Sequence, residues 1–261
     1  MKILFLIRAL NLGGAQSQMV LLAKQLHARG HEVHVLAFYD GPHQQALRVA
    51  GVSVHTLNKR GRWDVVGFLW RLTRLTRQLA PDILYGYLAA CNLLVSVLQW
   101  LVPSAKAVWG IRIADLKLEY YGWLARTLLF LERKCSQLPA LIITNSQAGR
   151  EHAIAQGFPA GKTIAIPNGI DSEAFYPDPV AREKTRAAWN VTSDELLIGI
   201  VGRIDPIKEH AIFLTAAHKL RQRHKNARFV CVGEAVNPGY QNRLFALTQD
   251  LGLQERVIWA G

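Results

Sequence analysis

The clearest sign of the fold is one α/β unit in the second half of the chain. It is the segment Leu196-Leu-Ile-Gly-Ile-Val-Gly-Arg-Ile-Asp-Pro-Ile-Lys-Glu-His210. Its apolar run leads directly into Gly202 and Arg203, and Lys208 stands where a helix pattern begins. A buried parallel strand, a glycine turn and a helix form the repeating unit of α/β proteins. Cations beside a helix N-terminus favour an anion, and a guanidinium matches phosphate oxygens. The segment predicts a diphosphate site, with two solvated loop cations as the alternative.

A second glycine turn, Gly13-Gly14, follows the first apolar strand of the chain. Glycine allows a phosphate or a sugar to approach the backbone closely, and the helix that follows favours an anion. A tight turn with no ligand is the alternative. The two strand-to-helix turns suggest a ligand held between two α/β halves.

Strands and helical patterns alternate along the whole chain. The predicted strands are Ile3–Ile7, Glu32–Phe38, Ile83–Tyr85, Ala107–Ile111, Leu141–Thr144, Leu196–Val201, Arg228–Val232 and Arg256–Trp259. Pro177-Asp178-Pro179 reads as a linker, so we expect an α/β fold with domains at 1–175 and 176–261. Both are expected to be parallel sheets covered by helices. Because the second half is short, we expect it to be incomplete; a small three-stranded domain is the alternative.

Composition limits the class of protein. Of the 261 residues 50% are hydrophobic, enough for a sizeable core, and the three cysteines are far apart in sequence. That cysteine pattern indicates a reducing compartment without disulfides. The apolar runs are too short for a signal peptide or a membrane span. We therefore expect a cytoplasmic protein.

The net charge of +12 is concentrated in residues 1–175, where 19 basic residues oppose 10 acidic ones. Residues 59–79 hold six cations and one acid, with apolar residues at helical spacing and aromatic residues Trp63, Phe68 and Trp70 suited to a lipid interface. We hypothesise that this segment attracts an anionic membrane surface. The alternative is a surface helix with solvated arginines. Nucleic-acid binding has only the net charge in its favour, so no nucleic-acid partner is expected.

Four short motifs resemble those of the retaining glycosyltransferases of family four, which have the GT-B fold of two Rossmann-like domains. They are Leu12-Gly-Gly-Ala-Gln16, Thr144-Asn-Ser146, Ile166-Pro-Asn-Gly-Ile-Asp171, and Val201-Gly-Arg203 with Lys208. The resemblance covers essentially the whole chain. It implies an N-terminal domain for a glycan or lipid-linked acceptor and a C-terminal domain for most of a nucleotide-diphosphate sugar. We expect the donor to be UDP- or GDP-linked.

The resemblance also assigns roles to particular residues. Gly13, Gly14 and Gly202 would lie against the donor, while Arg203 and Lys208 would neutralise the diphosphate as the sugar leaves. Such charge stabilisation replaces a metal ion, and no Asp-x-Asp pair is present to hold one. No cofactor is therefore expected besides the nucleotide-sugar substrate, and transfer would retain the anomeric configuration.

The acceptor region departs from the family pattern. Many members have a histidine in the loop after the Pro-Asp strand, where this chain has Tyr87. The loop after Trp109 also lacks histidine and offers Arg112 and Asp115. Tyr87, Arg112 and Asp115 are the acceptor-site candidates, although Arg112 is equally well explained as a structural ion-pair partner.

A second departure concerns the donor site. The family's second domain carries two glutamates eight positions apart, and no such pair occurs in this sequence. We therefore expect the chain to be truncated within its C-terminal domain. A noncatalytic nucleotide- or anion-binding module is the alternative to a sugar transferase.

We predict that residues 1–261 alone have negligible transferase activity, because the residues that would grip the nucleoside and sugar are missing. A coupled nucleotide-release assay over a panel of UDP- and GDP-sugars measures this directly. Release at the no-enzyme background rate is expected, and robust turnover would contradict the prediction.

Overall fold

The computed structural model describes residues 1–61, 63–112 and 122–261, and they form two compact units, Met1–Phe175 and Tyr176–Gly261. The elements of the first unit are β1 (Lys2–Ala9), α1 (Gly14–Ala28), β2 (Glu32–Tyr39), α2 (His43–Val49), β3 (Ser53–Thr56), α3 (Val65–Leu79), β4 (Ile83–Tyr87), α4 (Ala89–Leu101), β5 (Lys106–Ile111), α5 (Trp123–Lys134), β6 (Leu141–Thr144), α6 (Gln147–Ala155) and β7 (Thr163–Ala165).

Seven described strands of the first unit form a parallel sheet in the order β3-β2-β1-β4-β5-β6-β7. The central strands β1 and β2 are buried on both faces along most of their length, as parallel strands between helices are. The expected α/β parallel sheet is confirmed. The short strands β3 and β7 were not predicted; Ser53-Val-His-Thr56 of β3 contains no apolar run.

Two hydrophobic clusters lie on opposite faces of this sheet. Alternate residues of β1 enter different clusters, as Phe5 and Ile7 do on one side and Leu4 and Leu6 on the other. Helices α1 and α2 cover the Phe5 side, and α3 and α4 cover the Leu4 side. Trp109 is fully buried, and its indole nitrogen donates to Ser96 Oγ at 2.9 Å, so its polar atom is paired.

The second unit contains α7 (Pro179–Ala188), β8 (Leu196–Val201), α8 (His210–Arg223), β9 (Ala227–Val232), α9 (Pro238–Asp250) and β10 (Val257–Trp259). Its described strands form a parallel sheet in the order β10-β9-β8. Leu214, Phe229 and Leu244 form the centre of its core. The prediction of a second parallel sheet is confirmed.

A buried amide joins the ends of β4 and β5. The Asn92 side chain accepts from Gly110 N at 3.2 Å and donates to Gly110 O at 3.3 Å. Helix α4 can approach β4 this closely because Gly86 has no side chain: a Cβ there would lie 2.8 Å from Asn92 Cα and N. Leu88, between Gly86 and Asn92 in the sequence, has a φ of 71°. This conformation costs a leucine about 1–3 kcal/mol. Asn92 thus fixes the backbone on either side of the strand ends.

The same amide also pairs with a buried carboxyl group. Asn92 Nδ2 donates to Glu132 Oε1 at 2.6 Å, and Glu132 is 5% exposed. Burial raises the pKa of Glu132 to about 7, and the Asn92 hydrogen bond opposes this only in part. The folded protein therefore retains the Glu132 proton at pH values where the unfolded chain releases it.

We predict that Glu132→Gln flattens the pH dependence of stability. Because the pKa of Glu132 rises from 4.5 to about 7 on folding, its contribution to stability falls as the pH increases through that window. Removing this titration should reduce the stability difference between pH 5 and pH 8 by up to about 3 kcal/mol. Urea denaturation across this range measures it.

The exposed Glu183, on α7, provides a matched control. Glu183→Gln should leave the pH profile parallel to wild type. A Glu132→Gln profile that is also parallel would contradict the prediction.

Candidate functional site

The carboxyl edge of the first sheet collects the polar groups that the sequence singled out. Parallel strands end at the same edge, where loops lead into helices, and this is where open α/β sheets bind ligands. Tyr87 ends β4, Arg112 follows β5, and the Gly13-Gly14 turn follows β1. Asp115 lies outside the described residues.

Arg112 is the centre of this edge. Its Nη2 donates to Tyr87 Oη at 2.8 Å and to Tyr85 Oη at 3.2 Å, and its Nη1 donates to Asn168 Oδ1 at 3.3 Å. Its guanidinium carbon also lies 4.6 Å from the centre of the Tyr87 ring. Among the described residues, no carboxylate forms an ion pair with Arg112.

Tyr87 and Tyr85 are both buried, and their ring centres are 5.0 Å apart, with Phe5 packed against both. Burial raises the pKa of each tyrosine, so both hydroxyls stay protonated at neutral pH. Tyr87 is fully buried and its hydroxyl accepts from Arg112, so its visible role is to orient that cation. Sequence reasoning singled out Tyr87 but not Tyr85. Tyr85 reaches the same site because residues two positions apart in a strand lie on the same face.

The Gly13-Gly14 turn leaves the N-terminus of α1 without a side-chain cap. The first backbone N–H groups of such a helix are free to bind an anion. A Cβ on Gly14 would meet no protein atom within 4 Å. The fold therefore does not itself require glycine at position 14, whereas a ligand seated on the turn would.

The 166–171 loop is attached to α1 by two hydrogen bonds. Gln18 Nε2 donates to Gly169 O at 2.8 Å, and Gly169 N donates to Gln18 Oε1 at 3.0 Å. This pairing places Asn168, a partner of Arg112, beside the first helix. Sequence reasoning singled out the 166–171 motif but not its partner, since Gln18 is 151 residues away from Gly169.

The turn after β8 carries the two cations of the second unit. Gly202 N donates to Val232 O at 2.8 Å, and a Cβ on Gly233 would lie 2.3 Å from Gly202 O. Glycine is therefore required where β9 ends, at a position that the sequence did not single out. The side chain of Lys208 passes over Gly202, since a Cβ there would lie 3.9 Å from Lys208 Cδ.

Asp205 shapes the rest of this turn. Its Oδ1 accepts from Ile207 N at 3.0 Å, which caps the short 3-10 turn Pro206–Lys208. Its other oxygen lies 3.7 Å from Arg203 Nη2, and Arg203 remains 63% exposed. Exposed charge pairs at this distance contribute little to stability. Arg203 and the exposed Lys208 thus remain available to an external anion.

His210 is the first residue of α8 and follows Lys208 by two positions. It is fully buried, and neither ring nitrogen has a hydrogen-bond partner among the described residues. Burial lowers the pKa of His210, and the nearby charge of Lys208 lowers it further against the opposing effect of Asp205. A neutral imidazole follows, and sequence reasoning did not identify this residue.

In residues 1–61, 63–112 and 122–261, no three His, Cys, Asp or Glu side chains are grouped to hold a metal ion. None of the helices in these ranges is both long enough and apolar enough to span a bilayer.

Several known proteins are similar to this chain in sequence. EpsF of Bacillus subtilis (strain 168), a glycosyltransferase by name, is 22% identical over 274 aligned residues, covering 98% of this chain and 69% of EpsF. The D-inositol 3-phosphate glycosyltransferase of Mycobacterium bovis (strain BCG / Pasteur 1173P2) is 29% identical over 121 residues, covering 46% of this chain and 24% of that protein.

Solved structures share the fold. Anabaena Alr3699/HepE in complex with UDP-glucose matches with a TM-score of 0.83 at 23% identity, covering 100% of this chain and 69% of HepE. A glycosyltransferase from Rickettsia africae ESF-5 matches with a TM-score of 0.75 at 18% identity, covering 100% of this chain and 68% of that one. The expected GT-B fold class of two Rossmann-like sheets is confirmed.

Family models account for most of the sequence. The model of Glycosyltransferase Family 4 matches residues 12–174, and that of Glycosyl transferases group 1 matches residues 181–261. The first match alone covers more than half of the chain and contains Gly13, Tyr87 and Arg112. The chain therefore belongs to Glycosyltransferase Family 4 and is a glycosyltransferase.

Proposed function

We propose that the protein transfers a sugar from a nucleotide-diphosphate sugar to a glycan or lipid-linked acceptor, with retention of configuration and without a metal ion. The observation that carries this proposal is the pair of exposed cations, Arg203 and Lys208, on the capped turn after β8. Arg203 offers a planar fork of donors and Lys208 a compact charge, which together match a diphosphate.

In the reaction, the bond between the sugar C1 and the diphosphate oxygen breaks, and the nucleoside diphosphate leaves. Arg203 and Lys208 neutralise the negative charge that develops on the leaving oxygen. The acceptor hydroxyl forms the new bond to C1 on the face that the diphosphate leaves, and its proton passes to a diphosphate oxygen. Front-face transfer of this kind needs no protein nucleophile and retains the configuration.

The first unit supplies the acceptor site in this proposal. Arg112, held by Tyr85, Tyr87 and Asn168, places a fixed cation at the carboxyl edge of the sheet. Asp115 belongs to the same acceptor set as a proposal from its position in the sequence. The Gly13-Gly14 turn is assigned to the donor, since its uncapped helix end suits an anion.

Relatives support a UDP- or GDP-linked donor. Anabaena HepE was solved with UDP-glucose, and a Mycobacterium tuberculosis relative is named for GDP-mannose and a phosphatidylinositol monomannoside. A lipid-linked acceptor would place the protein at the inner face of the membrane as a peripheral, cytoplasmic enzyme. We propose that location, with residues 59–79 as part of the contact.

The direct test incubates the full-length protein with UDP- and GDP-sugars, lipid and glycan acceptors, and EDTA. We expect one donor to be consumed in EDTA and the product to keep the donor's anomeric configuration by NMR. No transfer with any donor, nucleotide binding without turnover, or an inverted product would contradict the proposal.

We predict that Arg203→Ala and Lys208→Ala each lower kcat by about 10²–10³-fold, because each removes a charge that stabilises the leaving diphosphate. Lys225→Ala, which removes another exposed cation of the second unit, should leave kcat within about twofold. Steady-state kinetics of the full-length protein, with saturating donor, measures all three. Equal effects in the three variants would refute the assigned roles.

We also predict that Gly14→Ala weakens donor binding without destabilising the fold. The added methyl group meets no protein atom, so it changes only the space in front of the turn. Calorimetry with UDP and GDP should give at least a tenfold higher Kd, an effect of about 1.4 kcal/mol. Urea denaturation should give a midpoint no lower than wild type, since alanine favours a helix over glycine. An unchanged Kd would remove Gly14 from the donor site.

A further inference from the structure

Helices α3, α4 and α5 form one layer on the sheet and leave a run of apolar side chains exposed. Helix α4 packs against both of its neighbours, so their outer faces are adjacent. We call this the α3–α5 surface, and its most exposed members are Trp63, Val66, Trp70, Val97, Trp100, Trp123, Leu124 and Phe130.

Tryptophan is concentrated on this surface. Four of the seven tryptophans of the chain, Trp63, Trp70, Trp100 and Trp123, are 58–87% exposed here, whereas Trp109 beneath them is fully buried. Exposing one large aromatic ring is ordinary, but four exposed tryptophans on one layer of helices suggest an interaction site. Tryptophan is also the residue enriched where proteins meet the headgroup region of a bilayer.

The centre of the surface carries no charge. Helix α4 contains no Asp, Glu, Lys or Arg, and Leu93, Val97 and Trp100 form a stripe at helical spacing. Its opposite face, with Cys91, Val95 and Leu98, is buried in the core. Helix α4 therefore presents apolar side chains on both of its faces.

Helix α5 has the reverse of the usual arrangement. Glu132 is the one buried side chain of α5, while Trp123, Leu124 and Phe130 are 53–71% exposed. Burying a carboxyl group while leaving apolar side chains in water is unfavourable for an isolated protein. The arrangement becomes favourable if an apolar medium covers the outer face.

The exposed charges on the described residues of the three helices are all positive. Among the described residues of α3, α4 and α5, the single acidic residue is the buried Glu132. Arg74 and Arg77 on α3, with Arg133 and Lys134 on α5, are exposed on either side of α4. Arg74 lies 5.2 Å from the Trp70 ring centre and Lys134 lies 5.7 Å from that of Phe130, which keeps cations beside aromatic rings. An anionic surface complements this pattern.

The structure changes the sequence-based hypothesis for residues 59–79. Phe68 was expected at a lipid interface, but it is buried and packs against Phe38 with ring centres 4.7 Å apart. Arg71 is bound to Asp64 at 2.5 Å and to Leu57 O at 3.0 Å, so it stabilises the start of α3. Trp63 and Trp70 remain exposed, and most of the apolar area comes instead from α4 and α5.

We infer that the α3–α5 surface docks on an anionic phospholipid bilayer, with α4 against the acyl boundary and the cations of α3 and α5 at the headgroups. Helix α4 begins two residues after Tyr87, so one end of this helix layer lies at the candidate acceptor site. A lipid-linked acceptor would then reach Arg112 from the membrane, and this last step rests on the proposed function. The docking itself does not.

Co-sedimentation of the purified protein with vesicles of phosphatidylglycerol and phosphatidylcholine tests the inference. Two double variants should each lower the partition coefficient at least about tenfold: Arg77→Glu/Lys134→Glu and Trp100→Ser/Trp123→Ser. Each cation near an anionic surface contributes about fivefold to the partition coefficient. The matched controls are Lys219→Glu/Arg223→Glu on α8 and Phe175→Ser/Tyr176→Ser, all exposed elsewhere. The controls should bind like wild type, and vesicles of phosphatidylcholine alone should bind the wild type weakly.

Three results would overturn the inference. The first is absence of wild-type binding to anionic vesicles. The second is equal loss in the surface and control variants. The third is a dimer in sedimentation velocity that Trp100→Ser/Trp123→Ser dissociates, since the surface would then cover a second copy of this chain. Circular dichroism of each variant shows whether a loss reflects unfolding, and Trp100→Phe/Trp123→Phe should restore binding.

Sugar transfer by the full-length protein to a soluble acceptor separates this inference from the proposed function. The surface variants should keep wild-type turnover with such an acceptor while they lose vesicle binding. If turnover is absent in every variant and vesicle binding follows the prediction, the proposed function fails and the docking inference stands.

Discussion

The hydrogen bonds of the Asn92 amide hold the candidate acceptor site together. They fix both backbone groups of Gly110, two residues before Arg112, while Gly86 gives the amide the space it occupies. Tyr87 follows Gly86 directly, so the same contact sets the ends of β4 and β5. Because Asn92 is fully buried, each lost hydrogen bond would leave a polar group unpaired in the core, at a cost of about 1–3 kcal/mol. A rigid scaffold behind exposed loops is what a site needs to orient a ligand.

This arrangement connects three parts of the first unit. Glu132 reaches the amide from α5, whose outer face is apolar, and Arg112 receives its position from the strand end that the amide fixes. The carboxyl group is held inside by one strong hydrogen bond, while tryptophans stay outside. The apolar outer face of α5 and the ordered strand edge therefore belong to one packing arrangement. The second unit is simpler, since its turn depends on the Asp205 cap and on the absence of a side chain at Gly233.

Much of this could be predicted from the sequence, and the reasons are physical. Long apolar runs such as Ile3–Ile7 and Leu196–Val201 identify buried parallel strands, and the glycine turns after them indicate the ligand edge. Contacts between distant residues could not be predicted, because nothing local marks Gln18 as a partner of Gly169 or Glu132 as a partner of Asn92. Phe68 was misplaced for a related reason: helical spacing shows which residues share a face, but the packing partner Phe38 decides which face is buried.

Hydrogen–deuterium exchange with UDP and with GDP tests the central claim, that the donor diphosphate binds at the glycine turns and the acceptor at the Arg112 edge. Nucleotide binding should slow exchange at residues 202–210 and at residues 13–16. It should leave exchange unchanged at residues 85–92 and 110–112. Protection confined to residues 85–92 and 110–112, with none at 202–210, would contradict it.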